Sequence, residues 1–257
     1  MKVLIKLGGT LLDETDRQAD LARQLARISD QLVVVHGGGK QVTRFLEERG
    51  IQSRFVGGLR VSDESVIDAV TKVIAGSVNK RLVSALISAG RASVGLSGID
   101  GALTVAAQLN SELAFVGSPG RTDGRLLDLL VQGGYLPVVA CLAGDSHGNI
   151  YNVNADQMAV SCAAGWRADK LLFLTDVAGV RGAAGAVLSR LDEKDIEELI
   201  QSGTAHGGMQ AKLNAARAAL QSGLAEVVIA SGHEPDICAR LLAGEPLGSR
   251  LFLGAMA

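Results

Sequence analysis

Lysines beside glycine pairs are the residues in this sequence best equipped for chemistry on an anion. Lys6-Leu7-Gly8-Gly9 closes an apolar run that begins at Val3, setting a cation at a strand end next to backbone that is free to bend. A lysine there is costly unless paired. His36-Gly37-Gly38-Gly39 follows the apolar run Leu32-Val33-Val34-Val35 and precedes helical spacing. Glycines in that position allow positive φ and let successive N–H groups converge on an anion, aided by the following helix N-terminus; a plain tight turn is the competing reading. Gly207-Gly208-Met209-Gln210-Ala211-Lys212 opens an Ala- and Leu-rich helix. Cations prefer helix C-termini, so a lysine in the first turns points to a shared anionic ligand such as phosphate; in isolation a solvated helix lysine explains it as well.

Two further segments carry polar groups at element boundaries. In Asn152-Val153-Asn154-Ala155-Asp156 a strand passes into a helix, with Asn154 as N-cap and Asp156 in the first turn; capping leaves Asn152 unexplained. Leu174-Thr175-Asp176-Val177-Ala178-Gly179-Val180 ends a strand in a loop of small residues suited to lie against a purine and ribose. Other chemistries lack their residues. Lys40 is followed by Gln41 without the earlier glycine of a Walker A loop, and no G-x-G-x-x-G or H-E-x-x-H occurs. The four histidines, the serines and the cysteines show no triad-like spacing, and no metal site is read.

The elements that must position these residues alternate. Short β-branched runs at 3–5, 32–35, 92–97, 136–140, 170–174 and 226–230 read as strands. Helical spacing falls near 17–29, 40–49, 62–89, 123–133, 154–165, 192–202 and 208–222. Strands that are continuously apolar have helices on both sheet faces. The pattern predicts a three-layer α/β/α sandwich with a mainly parallel central sheet, interrupted by hairpin-like patches around 100–117 and 141–153. It forms two lobes, 1–153 and 154–257, of a single domain, with a cleft between them where ligands sit beyond the carboxyl ends of the strands.

Composition narrows the partners. Glycine at 32 of 257 residues is well above the usual ~7%, yet it is clustered rather than periodic, which excludes collagen and low-complexity disorder. Lys+Arg 25 against Asp+Glu 27 leaves a net charge of −2 and no basic block, which favours a small-molecule partner over nucleic acid or a membrane surface. Cys141, Cys162 and Cys238 form no C-x-x-C pair and read as buried thiols of a reducing compartment. With no signal-peptide pattern and no run near ~18 apolar residues, a cytoplasmic location is expected.

Taken together these segments resemble the amino acid kinase family over essentially the whole chain. The resemblance rests on the 6–9 strand end, Val35-His36-Gly37-Gly38-Gly39, Gly58-Leu59-Arg60-Val61, 152–156, 174–179, and Gly208-Met209 followed by Lys212. It implies ATP-dependent phosphorylation of an amino-acid carboxylate, specifically the γ-carboxylate of N-acetyl-L-glutamate in arginine biosynthesis, with Mg2+ bound through ATP phosphates and water. Residue by residue, it implies that Lys6 and Lys212 stabilise the transition state and that Asp156 orients them. Gly38, Gly39, Arg60 and Asn152 would meet the acid. Gly8, Gly9, Asp176, Val177, Ala178, Gly179, Val180, Arg181, Thr204, Ala205 and His206 would meet the nucleotide. Two departures stand out: Lys40 where members often carry proline, and Ser231-Gly232-His233 where many carry an acidic-Gly-Arg triplet. The second weakens any inference about effector binding near the C-terminus.

The residue types suit that reaction. A glutamate-like carboxylate, with pKa near ~4.3, is already ionised at neutral pH, so no general base is needed and His36 reads as a structural hydrogen-bonder. What the reaction needs is fixed positive charge and N–H donors against anion–anion repulsion. Sibling activities on carrier-linked aminoadipate, glutamate, aspartate or a nucleoside monophosphate remain alternatives, as does a catalytically silent ligand sensor. Arginine-inhibited members of the family carry an extra N-terminal helix that interlaces dimers into hexamers. Here the first strand begins near Lys2, which predicts a homodimer insensitive to arginine. The helix near 62–89, with Val66, Val70, Val73 and Ile74 at helical spacing, either supplies the two-fold interface or buries that stripe in its own lobe.

Overall fold

The computed structural model describes residues 1–254. In chain order the first half runs β1 (Lys2–Leu7), a 3-10 turn (Gly9–Leu12), α1 (Thr15–Ala26), β2 (Gln31–His36), α2 (Gly39–Glu47), β3 (Phe55–Val56), β4 (Leu59–Arg60) and α3 (Glu64–Val70). A π-helical stretch (Thr71–Val78) leads into α4 (Asn79–Ser88), followed by β5 (Ser93–Ser97), β6 (Thr104–Gln108), β7 (Val116–Thr122), α5 (Arg125–Gln132), β8 (Leu136–Ala140), β9 (Leu142–Gly144) and β10 (Ile150–Val153). The second half comprises α6 (Ala155–Trp166), β11 (Lys170–Thr175), β12 (Arg190–Leu191), α7 (Glu193–Gln201), α8 (Gly207–Gln221), β13 (Glu226–Ser231), α9 (Ile237–Leu242) and β14 (Ser249–Leu251).

Eight strands make one sheet in the order β12-β14-β13-β11-β1-β2-β8-β5, parallel except where β14 meets β13. The apolar runs of β1, β2, β8 and β11 are buried along nearly their whole length, as parallel strands covered on both faces must be. α1 packs on α4 and α9, and α6 packs on α5 and α8, giving a helix layer for each face. β1 lies between β2 and β11 at the centre of the sheet, so the two halves of the chain share one core. The carboxyl ends of β1, β2 and β11 therefore come to one edge beside each other, with Lys6 registered opposite Val35 on one side and Phe173 on the other.

Local chemistry sets the helix starts. The Asn154 side chain accepts from the Asp156 and Gln157 N–H groups, as its N-cap reading required. Asp192 and Asp195 form a capping box on α7. The helix expected over 62–89 runs from Glu64 to Ser88 but carries the π stretch in its middle. Its Val66, Val70, Val73 and Ile74 are all buried in their own lobe, which removes that stripe from any two-fold interface.

Two features exceed the sequence reading. The two hairpin-like patches do not stand apart: β6–β7 and β9–β10 join in the order β10-β7-β6-β9 and close into a small barrel, which removes the unpaired edges that separate hairpins would expose. The β3–β4 hairpin, β12, α9 and β14 were not foreseen, each being too short for a periodicity signal.

Candidate active site

Lys6, Asp156 and Lys212 come together from β1, α6 and α8. The Asp156 Oδ1 lies 2.6 Å from Lys6 Nζ, an ion pair without hydrogen-bond alignment, and its Oδ2 accepts from Lys212 Nζ at 3.3 Å. Lys6 and Asp156 are only 6% and 7% exposed. Burial pushes the Asp156 carboxyl upward, but the charges of Lys6 and then Lys212 outweigh it and hold the carboxyl below the usual range. Sequence places each group where it can reach: Lys6 is the penultimate residue of the central strand, Asp156 occupies the first turn of α6, and Lys212 the second turn of α8. The trio carries a net charge of +1 where the sheet meets solvent.

Beside it lie the glycines. The Gly8 N–H donates to the Leu174 carbonyl at 2.8 Å, tying the end of β1 to β11. A side chain at Gly9 would point to within 3.9 Å of the Gly39 nitrogen, so the two glycine turns face each other. Gly38 has extended φ and caps α2, and a Cβ there would press on Val78 and Ile74 at 3.3 and 3.4 Å. Among the described residues the Gly38 and Gly39 N–H groups have no protein acceptor.

Gly38, Gly39, Arg60 and Asn152 all line one cavity of about 180 Å³, closed by Phe55, Val70, Ile74, Val116 and Cys141. That is below the ~300 Å³ of drug-sized pockets and fits a small metabolite. The Arg60 guanidinium stacks 4.7 Å from the Phe55 ring; its Nη2 donates to the Gly39 carbonyl (2.9 Å) and Thr43 Oγ1 (2.8 Å), and its Nη1 to Ser53 Oγ. Burial lowers its pKa, while its Nε–H has no acceptor among the described residues. Asn152 Nδ2 donates to Ser62 Oγ at 3.1 Å, and Ser62 Oγ in turn donates to the Arg60 carbonyl at 2.9 Å. The sequence reading missed Thr43, Ser53, Phe55 and Ser62, which hold Arg60 and Asn152 in place. One signal was available: Gly57 and Gly58 both take positive φ, and a Gly-Gly pair between short apolar runs marks a two-residue hairpin.

The expected nucleotide contacts divide. Asp176, at the end of β11, accepts from Thr175 Oγ1 at 3.0 Å; that bond, together with the field of Lys212, lowers its pKa. Val177 and Ala178 are exposed beside it. The Val180 and Ala205 side chains are in the core, so only their backbone can meet a ligand. Gly179 is closely packed, since a Cβ there would lie 2.8 Å from both Ser249 Oγ and Val187 Cγ1. Arg181 turns along its own loop toward the Gly185 carbonyl. Thr204 and His206 precede α8, with His206 as its N-cap. A groove of about 1490 Å³, lined by Asp156 and Lys212, runs along α6 and α8 to Trp166; the Asp176 loop does not line it.

His36 is fully buried. Its Nδ1 lies 2.8 Å from the Gly37 carbonyl and its Nε2 3.0 Å from Asn79 Nδ2. Burial pulls its pKa down to about 4, which rules it out as a base near neutral pH. Burial likewise pushes the Cys141, Cys162 and Cys238 thiols up to about 12, leaving them unreactive.

Residues 1–231 match the amino acid kinase family. The chain is 53% identical over 254 residues to an acetylglutamate kinase of Solibacter usitatus (strain Ellin6076), covering 98% of this chain and 99% of that protein. It is 42% identical over 239 residues to an acetylglutamate kinase of Roseobacter denitrificans, covering 92% and 83%. Among solved structures, N-acetylglutamate synthase from Neisseria gonorrhoeae, complexed with coenzyme A and N-acetyl-glutamate, superposes with a TM-score of 0.86 at 23% identity, over 99% of this chain and 60% of that one. That likeness shows the fold.

Proposed function

This chain belongs to the amino acid kinase family, and from that premise we propose how its residues divide the work. The reaction is ATP-dependent phosphorylation of the γ-carboxylate of N-acetyl-L-glutamate to an acyl phosphate, a step of arginine biosynthesis. One observation carries the assignment of the site: two lysines share one buried carboxylate at the carboxyl edge of the sheet, beside a small cavity lined by Gly38, Gly39, Arg60 and Asn152.

The acid occupies that cavity, with Arg60 facing its α-carboxylate and Asn152 its acetylated amine, which needs both a donor and an acceptor. Gly38 and Gly39 turn their N–H groups toward the reacting carboxylate. ATP lies over the carboxyl ends of β1 and β11, with Gly8 and Gly9 near its phosphates and with Asp176, Val177, Ala178, Gly179, Val180, Arg181, Thr204, Ala205 and His206 framing the nucleoside. The 1–153 lobe thus holds the acid and the 154–257 lobe the nucleotide. The attacking oxygen arrives ionised, so the protein supplies no base; Lys6 and Lys212 neutralise the charge that gathers on the transferring phosphoryl group, and Asp156 fixes their ammonium groups at the point of transfer. Mg2+ would enter with ATP, held through phosphates and water, and would neutralise phosphate charge; among the described residues no three His, Cys, Asp or Glu side chains cluster to hold an ion.

The protein is proposed to act in the cytoplasm as a homodimer. No helix among the described residues is long and apolar enough to cross a membrane. Turnover of ATP with N-acetylglutamate, glutamate, aspartate and uridylate in parallel, trapping acyl phosphate as the hydroxamate, tests the substrate. Hydroxamate from N-acetylglutamate alone supports the assignment, and preferred turnover of another acid overturns it. A monomeric mass by light scattering refutes the dimer.

A further inference from the structure

We propose that Asn79 and His36 are positioning residues for phosphoryl transfer, which fix the Gly37–Gly38 peptide so that the Gly38 N–H faces the acid. The inference rests on the reading that Gly38 and Gly39 meet the substrate carboxylate. Neither Asn79 nor His36 lines the cavity, and both are fully buried. Their contacts determine each other. Asn79 Nδ2 donates to the Val138 carbonyl (2.9 Å) and to His36 Nε2 (3.0 Å), while Asn79 Oδ1 accepts from Lys80 Nζ (3.2 Å). With Nε2 accepting, the neutral imidazole carries its proton on Nδ1 and donates it to the Gly37 carbonyl at 2.8 Å. The depressed titration of the ring keeps it neutral.

The consequence is stereochemical. In a planar trans peptide the C=O and the following N–H point in opposite directions, and no cis bond occurs among the described residues. Holding the Gly37 carbonyl on the buried side therefore turns the Gly38 N–H outward, to the side where Gly38 and Gly39 line the cavity.

Two otherwise costly features make room for this network. Asn79 directly follows the π stretch Thr71–Val78, which changes the helix register just before it, and π segments are rare. Gly95 sits inside β5, where glycine weakens a strand; a Cβ there would collide with Asn79 Oδ1 and lie 2.8 Å from Lys80 Nζ.

The test pairs kinetics with a tautomer measurement on the full chain. In 15N-histidine spectra the His36 signal, assigned by its loss in His36→Gln, should show the neutral Nδ1–H tautomer at pH 7 and still at pH 5.5. His36→Met keeps the bulk and loses both hydrogen bonds; its kcat/KM for N-acetylglutamate should fall about tenfold or more while KM for ATP stays within about twofold. His36→Gln, whose amide offers one donor and one acceptor, should recover much of that loss. Should His36→Met fail to fold, Asn79→Ala carries the same expected split in KM. An Nε2–H tautomer, equal activity of the Met and Gln variants, or parallel losses toward both substrates overturns the proposal. Failure of the wild type to phosphorylate N-acetylglutamate would instead overturn the substrate assignment, and the tautomer result would stand apart from it.

Discussion

Replacing Asp156 by asparagine removes the one charge that Lys6 and Lys212 share and leaves the shape of the site nearly unchanged. At separations of 2.6 and 3.3 Å, and an effective dielectric of ~20, the two attractions are about 6 and about 5 kcal/mol before desolvation is subtracted. Removing one member of a buried ion pair leaves a net loss of about 3–5 kcal/mol, because the remaining charge stays buried without a partner. Lys6 meets that condition fully, and Lys212, with 18% of its side chain exposed, can relax toward water. For a chain of this size about 3 kcal/mol lowers Tm by roughly 6–12 °C. Unfolding can be followed through Trp166, the single tryptophan, buried at the end of α6. The polyphosphate of ATP supplies negative charge to the same lysines, so saturating nucleotide should raise Tm more in Asp156→Asn than in the wild type. In the hydroxamate assay kcat should fall about a hundredfold or more, since the ammonium groups lose their fixed position. An Asp156→Asn protein as stable as the wild type without nucleotide, turning over at a comparable rate, would refute the shared-counterion argument.

Lys6→Ala and Lys212→Ala should each lower kcat by about a hundredfold, roughly 3 kcal/mol of transition-state stabilisation, with smaller changes in KM; steady-state kinetics giving near-normal kcat in either would remove that residue from the reaction. Arg60→Lys keeps the charge and loses the planar fork that spans Gly39, Thr43 and Ser53, so KM for the acid should rise about tenfold while KM for ATP holds; an effect confined to ATP would relocate Arg60. His36 binds its proton near pH 4 when folded against 6.5 when free, so the unfolded chain takes up the proton first and stability falls as pH drops through that window. Chemical denaturation should find the wild type about 2 kcal/mol weaker at pH 5 than at pH 8 from this group, and the same slope surviving in His36→Gln would contradict the assignment.

The sheet was legible because its strands are unusually plain. Runs such as Leu32-Val33-Val34-Val35 and Leu136-Pro137-Val138-Val139-Ala140 can only be strands covered on both sides, and helical spacing between them leaves few topologies. Lys6 and Lys212 were legible for a related reason: a lysine closing an apolar strand and a lysine in the first turns of a helix both oppose local preference, so each marks a position that local structure alone does not explain. What escaped the sequence was contact between distant segments. Nothing local to Thr43, Ser53 or Ser62 announces that they hold Arg60 and Asn152, because those partners lie up to 90 residues away. Asn79 escaped for the same reason: its meaning depends on Gly95 of β5, directly beneath it, and on His36 and Val138 of neighbouring strands.

The separation between what touches substrate and what supports it follows from the chemistry. A carboxylate nucleophile is ionised before it arrives, so the site has no proton to remove and no use for a histidine of ordinary pKa; the histidine beside the glycine turn is instead buried and kept neutral. The work left to the protein is to hold positive charge in a partly dry place without letting the lysines repel one another out of position. A single carboxylate between them does so only if it stays ionised, and their joint field keeps it ionised against its own burial. The same condition explains why Lys6 is carried by the central strand, and Asp156 and Lys212 by helices, rather than by loops. Lys6 is held by ladders on both sides, and a cation that must meet a moving phosphoryl group within fractions of an ångström gains more from that rigidity than from reach.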